Sequence, residues 1–260
     1  MAICVQQDLL KNLRKNMNTK ESPFGEEFKI LIQERIKNFW GYGNLKGPYW
    51  FIGMEEGYNE DNEVLLDRFT ATAHKQTCDI YDDLKVDPGH VYWFEEGAPI
   101  QPTYRRLIEM MLYAETHTFP DKEEVRAFQI SELGRKNSNN ALLELMPLPS
   151  KSIAEKDWLY ADSGIDGLSS RKDYLETYKS ERIEVLRNLI QEHKPKYVIC
   201  YSLSYQEDWQ QLTDAPFIEV NPRRLYIARD GETTIAITPH SVAQGLSNDD
   251  WKMICEELFL

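Results

Sequence analysis

The chain has 260 residues and lacks any run of 18 apolar ones, so no stretch reads as a transmembrane helix. Its first residues, Met1-Ala2-Ile3-Cys4-Val5-Gln6-Gln7, carry neither the basic start nor the long apolar region of a secretory signal. A cytoplasmic location is therefore expected, with no membrane partner. Cysteine is scarce: Cys4, Cys78, Cys200 and Cys255 stand apart and form no C-x-x-C pair. They read as buried or idle thiols in a reducing compartment, without disulfides or a zinc site. His74, His90, His117 and His193 have no metal-ligand spacing, so no metal is expected. Gly-x-Gly-x-x-Gly, the Walker loop and Gly-x-Ser-x-Gly are missing too, which leaves no dinucleotide or phosphate cradle, no nucleophile elbow and no expected cofactor.

Positive charge is also short. Lys and Arg number 30 against 43 Asp and Glu, a net charge of −13, and residues 50–100 alone hold 12 acidic and 3 basic side chains. A protein that grips duplex DNA over many phosphates needs a basic footprint. The basic pairs Arg105-Arg106, Arg135-Lys136 and Arg223-Arg224 are either solvated faces or parts of a small phosphate site.

What the chain does have is a 42% hydrophobic content, enough for a sizeable core and against disorder. Apolar residues at helical spacing predict helices over 5–17, 25–40, 103–115, 121–133, 171–193, 204–212 and 248–259. Short apolar runs bounded by Gly or Pro predict strands over 49–53, 141–146 and 196–202. His90 to Phe94 reads as a strand or an extended loop, and Gly41 and Gly43 read as helix stops. Leu225–Ala228 and Thr233–Thr238 flank Asp230-Gly231, a hairpin signal. Strands alternating with helices imply a three-layer α/β/α fold around a short, mostly parallel central sheet. One domain is expected, with N-terminal helices over 1–44 and the core over 45–260.

Two strand-to-loop junctions carry the chemistry. Tyr49-Trp50-Phe51-Ile52-Gly53 stops at Met54-Glu55-Glu56-Gly57, and Thr233 to Thr238 stops at Pro239-His240-Ser241. Ligands of open α/β sheets sit beyond the carboxyl ends of strands, so Glu55 and His240 form a candidate acid/base pair. Glu56 beside Glu55 is expected to raise its pKa. Tyr58 and Phe94 are candidates to stack a flat ring.

These segments resemble the uracil-DNA glycosylase superfamily, over roughly residues 47–260. Gly53-Met54-Glu55-Glu56-Gly57 is similar to the family's first motif, which holds the attacking water. Ala141 to Met146, with Pro147 and Pro149, resembles its base-reading strand, and Thr238-Pro239-His240-Ser241 its last motif. The resemblance implies that Glu55 orients water and that His240 stabilises the leaving base. It also implies that Gly53, Met54, Gly57, Tyr58, Glu144 and Ser241 contact substrate. The departures are that Glu56 replaces a Pro, Glu144 stands where an Asn is expected, and His240 follows its Pro. A charged Glu144 would lack the amide's NH₂ donor. Three readings stay open: a divergent glycosylase-like hydrolase acting on a nucleobase-containing ligand, either a small nucleoside or single-stranded nucleic acid; a catalytically inactive nucleotide- or partner-binding protein on the same fold; and a generic α/β domain with a structural role.

Overall fold

The computed structural model describes residues 25–58, 62–222 and 224–260. The helix expected over 5–17, and Cys4, lie outside the described residues. One sheet of eight strands runs through the molecule. In chain order these are β1 (Gly41–Gly43), β2 (Tyr49–Gly53), β3 (Thr77–Cys78), β4 (Asn140–Glu144), β5 (Tyr197–Tyr201), β6 (Ile218–Asn221), β7 (Leu225–Asp230) and β8 (Thr233–Thr238). They lie side by side as β3-β1-β4-β2-β5-β8-β7-β6.

The architecture is α/β, but the sheet is neither short nor mostly parallel as expected. Its centre, β4-β2-β5-β8, is parallel throughout. Its flanks are mixed: β1 runs antiparallel to β4, and β6, β7 and β8 form an antiparallel meander. For β6, β7 and β8 the reason is connection length. Parallel neighbours need a crossover of a dozen or more residues, whereas short turns can only reverse direction. The Asp230-Gly231 turn does so between β7 and β8, as the sequence signalled.

Alternation along the central strands divides the core. Trp50 and Ile52 face one layer with Val198, Cys200, Ile235 and Ile237. That layer is covered by α1 (Glu26–Asn38), α2 (Asn62–Thr72) and the long α6 (Arg171–His193). Tyr49 and Phe51 face the other way with Ile199 and Ala236. There α4 (Pro102–Thr116), α5 (Lys122–Ser131) and α8 (Asn248–Leu258) close the core. Cys78, Cys200 and Cys255 are buried and free. No helix among the described residues is long and apolar enough to cross a membrane.

Two local expectations fail for identifiable reasons. Gly41 and Gly43 do not merely stop a helix; they build β1. A Cβ on Gly41, at φ +139°, would lie 2.1 Å from the Leu142 carbonyl oxygen, so only glycine lets β1 pair there. His90 to Phe94 is neither strand nor extended loop. Asp87 accepts a hydrogen bond from the His90 N–H and Pro88 occupies the first turn of α3 (Pro88–Val91), followed by a 3₁₀ turn over Tyr92–Phe94. The expected helix over 204–212 is a chain of short turns around α7 (Gln206–Trp209).

Candidate functional site

β2 lies between β4 and β5, so the connections leaving β2 and β5 diverge and open a crevice beyond their carboxyl ends. A cleft of about 560 Å³ occupies that place. Glu55, Glu56 and Gly57 enter it from the end of β2, Glu144 from β4, Tyr201 from β5 and His240 from beyond β8. The far wall comes from α3 and α4, through Asp87, His90, Trp93, Gln101, Thr103 and Tyr104.

Gly53 ends β2, and its hydrogen side lets the site close. A Cβ there would meet the Tyr201 hydroxyl at 2.3 Å and Glu144 Oε2 at 2.5 Å. Those two groups therefore press together over a residue that has no side chain. β5 then turns at Ser202, a non-glycine residue at φ +98°. The Ser202 N–H donates to the Thr238 carbonyl at 3.0 Å, and Trp209 Nε1–H donates to the Ser202 carbonyl at 3.0 Å.

The two carboxylates after β2 meet different surroundings. Glu56 is tied down: Arg68 Nη2–H donates to Oε1 at 2.6 Å, the Tyr42 hydroxyl donates to Oε2 at 2.9 Å, and Arg35 stands 3.9 Å away. Burial alone would raise its carboxyl, but the Arg68 charge prevails and holds it below the usual range. Arg68 also reaches Asp87 at 3.4 Å. Burial and Arg68 push the His90 imidazole down to about 4. His90 is thus neutral, and its 4.0 Å approach to Glu56 is no ion pair. Glu55 instead faces Arg171, the first residue of α6, whose Nε–H donates to both oxygens at 3.1 and 3.3 Å. Nη2 lies 3.0 Å from Oε1. Burial still leaves the Glu55 carboxyl raised, with Arg171 pulling it back. The direction matches the sequence expectation; its cause is burial rather than the neighbouring Glu56.

Glu144 differs again. No cation neutralises it, Oε2 is buried without a hydrogen-bond partner, and the Tyr201 hydroxyl lies beside the carboxyl. Burial first, then the Glu56 and Glu55 charges, pushes it well above the usual carboxylate range. The shift favours the protonated carboxylic acid. It then offers one O–H donor and one C=O acceptor, the same pair an amide offers. The shift works against the charge expected at this position, and the protonated form supplies the donor that a carboxylate lacks.

His240 is also neutral, lowered by burial. Its Nδ1 accepts the Val242 N–H at 3.3 Å, which assigns the proton to Nε2. The ring stands edge-on to Tyr201 at 5.5 Å.

Of the expected substrate-contacting residues, Glu55, Gly57, Glu144 and His240 line the cleft. Gly53 shapes it from beneath. Met54 and Tyr58 are instead in the core, Tyr58 lying 5.5 Å from the Arg68 guanidinium. Phe94 is buried and stacks on His90, so the rings facing the cleft are Trp93, Tyr104 and Tyr201. Ser241 is buried, its Oγ without a hydrogen-bond partner, and does not line the cleft. Among the described residues, the arginines of the basic pairs are held by carboxylates. Arg105 and Arg106 bind Glu109, Arg135 binds Asp79 and Asp82, and Arg224 binds Asp250. Arg223 lies outside the described residues. Among the described residues, no group of three or more His, Cys, Asp or Glu is placed to hold a metal ion.

The sequence reading missed Tyr201, Arg171, Arg68 and Tyr104. Tyr201 ends the strand it had recognised, so its place at the same sheet edge was available. Arg171 had no signal: its partner lies 116 residues away. Comparison with protein-family models, curated proteins and solved structures finds no match.

Proposed function

We propose that this protein hydrolyses the N-glycosidic bond between a sugar and a nucleobase, as a divergent relative of the uracil-DNA glycosylases. One observation carries the reading: Glu55, Glu144 and His240, from three different strand ends, line a single cleft at the switch point of the sheet. The parallel centre with helices on both faces supports the fold-level part of the resemblance.

The groups suit the reaction. The oxygen of a water forms a bond to the anomeric carbon while the carbon–nitrogen bond breaks and its electron pair leaves on the base. Glu55 holds that water and takes its proton, and the negative carboxylate favours the positive charge developing on the sugar. His240 donates its Nε2 proton as a hydrogen bond to the base as negative charge arrives. A neutral imidazole does this without stabilising a ground-state anion. Glu144, as a neutral acid, pairs with an amide-like base edge.

The test is base release from single- and double-stranded oligonucleotides and free nucleosides carrying uracil, hypoxanthine, xanthine or thymine. Release by wild type that falls at least about 10²-fold in Glu55→Gln supports the reading. No release from any substrate refutes it. One observation favours a second reading, binding without turnover. Both oxygens of Glu55 are already engaged by Arg171, which weakens it as a base. In that case wild type and Glu55→Gln bind nucleosides alike and neither releases base.

A further inference from the structure

The cleft lining offers two kinds of group. Glu144, Tyr201 and His240 suit a flat base. The wall formed by the start of α4 offers neutral polar groups without internal partners. Among the described residues, the Thr103 and Tyr104 hydroxyls make no hydrogen bond, although the Tyr104 backbone N–H is satisfied by Gln101. Gln101 uses Oε1 as the helix cap and leaves its amide NH₂ unpaired. The Trp93 ring borders the same wall. A hydroxyl, a phenol and an amide with unused capacity match the alternating donors and acceptors of a sugar, and they carry no charge.

Size and charge point the same way. An extruded base needs only a snug slot, whereas about 560 Å³ falls among sites that enclose whole small molecules. A nucleic-acid strand would also need cations along its backbone. Of the lining cations, Arg68 is committed to Glu56 and Asp87. Lys151, exposed at the rim, is the only lining Lys or Arg without a carboxylate partner among the described residues.

We infer that the cleft takes a free, uncharged nucleoside whole, its base toward Glu144 and His240 and its sugar hydroxyls against Gln101, Thr103 and Tyr104. This rests on the glycosidic reading above and narrows its substrate class. Thr103→Val and Tyr104→Phe keep shape and remove only hydroxyls that bond nothing in the fold. Base release is measured by chromatography from uridine, 2′-deoxyuridine, inosine and 2′-deoxyinosine, and from the same bases in a single-stranded oligonucleotide. The expected result is release from nucleosides at a kcat/KM at least about tenfold above the oligonucleotide. Each substitution then raises the nucleoside KM about tenfold with kcat little changed, the loss of one hydrogen bond. Release from oligonucleotide alone, or nucleoside release indifferent to both substitutions, overturns the inference. If neither substrate is cleaved, the glycosidic reading falls, and calorimetric titration with the same nucleosides decides recognition. Binding weakened by Thr103→Val upholds it; absence of binding overturns it.

Discussion

Glu56 and Glu144 stand at the ends of adjacent strands, both withdrawn from water, and yet their carboxyls are shifted in opposite directions. Burial raises both carboxyls. Glu56 has Arg68 at 2.6 Å and the Tyr42 hydroxyl at 2.9 Å, and stays ionised. Glu144 has two like charges and a neutral hydroxyl near it, with Arg35 opposing them only weakly, and its carboxyl is driven toward the protonated form. Company rather than depth decides ionisation, because moving a lone charge out of water costs more than any neutral hydrogen bond returns. The outcome is a cleft lined by a fixed anion and by a carboxyl driven toward its protonated, donor form.

The comparison breaks most severely at Arg68. Arg68→Met strands both Glu56 and Asp87, and we expect about 3–5 kcal/mol of stability to vanish at pH 7 in urea unfolding. Glu56 has a depressed pKa, so its contribution is present above the ordinary carboxyl value of 4.5 and is lost as pH falls through the folded value. The gap between variant and wild type should therefore narrow in acid. An equal gap at pH 3 and pH 7 would contradict the assignment.

Next in size is the neutral acid. Glu144→Leu removes donor and acceptor together and should cost about 10²-fold in base release. Glu144→Gln restores both and should stay within about threefold of wild type; a loss as deep as that of Leu would show that a charged Glu144 is required. The stability sign is opposite to that of Glu56. A raised carboxyl stabilises most at low pH and loses that contribution as pH rises through its folded value. Glu144→Gln should accordingly gain on wild type in urea unfolding as pH rises from the ordinary carboxyl value of 4.5 through the folded value.

A smaller effect tests Glu55. Without its guanidinium, burial would raise the Glu55 carboxyl further, so Arg171→Met should move the acidic limb of the kcat/KM profile to higher pH. An unmoved limb would mean that Glu55 is not the titrating base.

Much of this arrangement could be read from residues in order. Tyr49 to Gly53, Arg171 to His193 and the Asp230-Gly231 hairpin announce themselves through apolar period, cap and turn chemistry. β1, β3 and β6 do not, because two to four residues pair only when a neighbour supplies the ladder. The turn at Pro88 was legible and misread: Asp before Pro is a helix start. Glu55, Glu144 and His240 reached one cleft because each follows a strand whose end could be located. Their protonation was not legible, since it depends on Arg68, Arg171 and Tyr201, which arrive from distant segments.

Ser202 carries a last consequence. Its backbone sits where a side chain costs on the order of 1–3 kcal/mol, at the turn that delivers Tyr201 to the cleft. Ser202→Gly would remove that penalty, less the roughly 0.5–1 kcal/mol of extra freedom glycine gains unfolded. The relaxed variant should melt at a slightly higher temperature and release base more slowly, checked by calorimetry and turnover on one preparation. Selection for heat resistance alone would then wear this turn away, and its survival would mark a lineage in which activity is still being used.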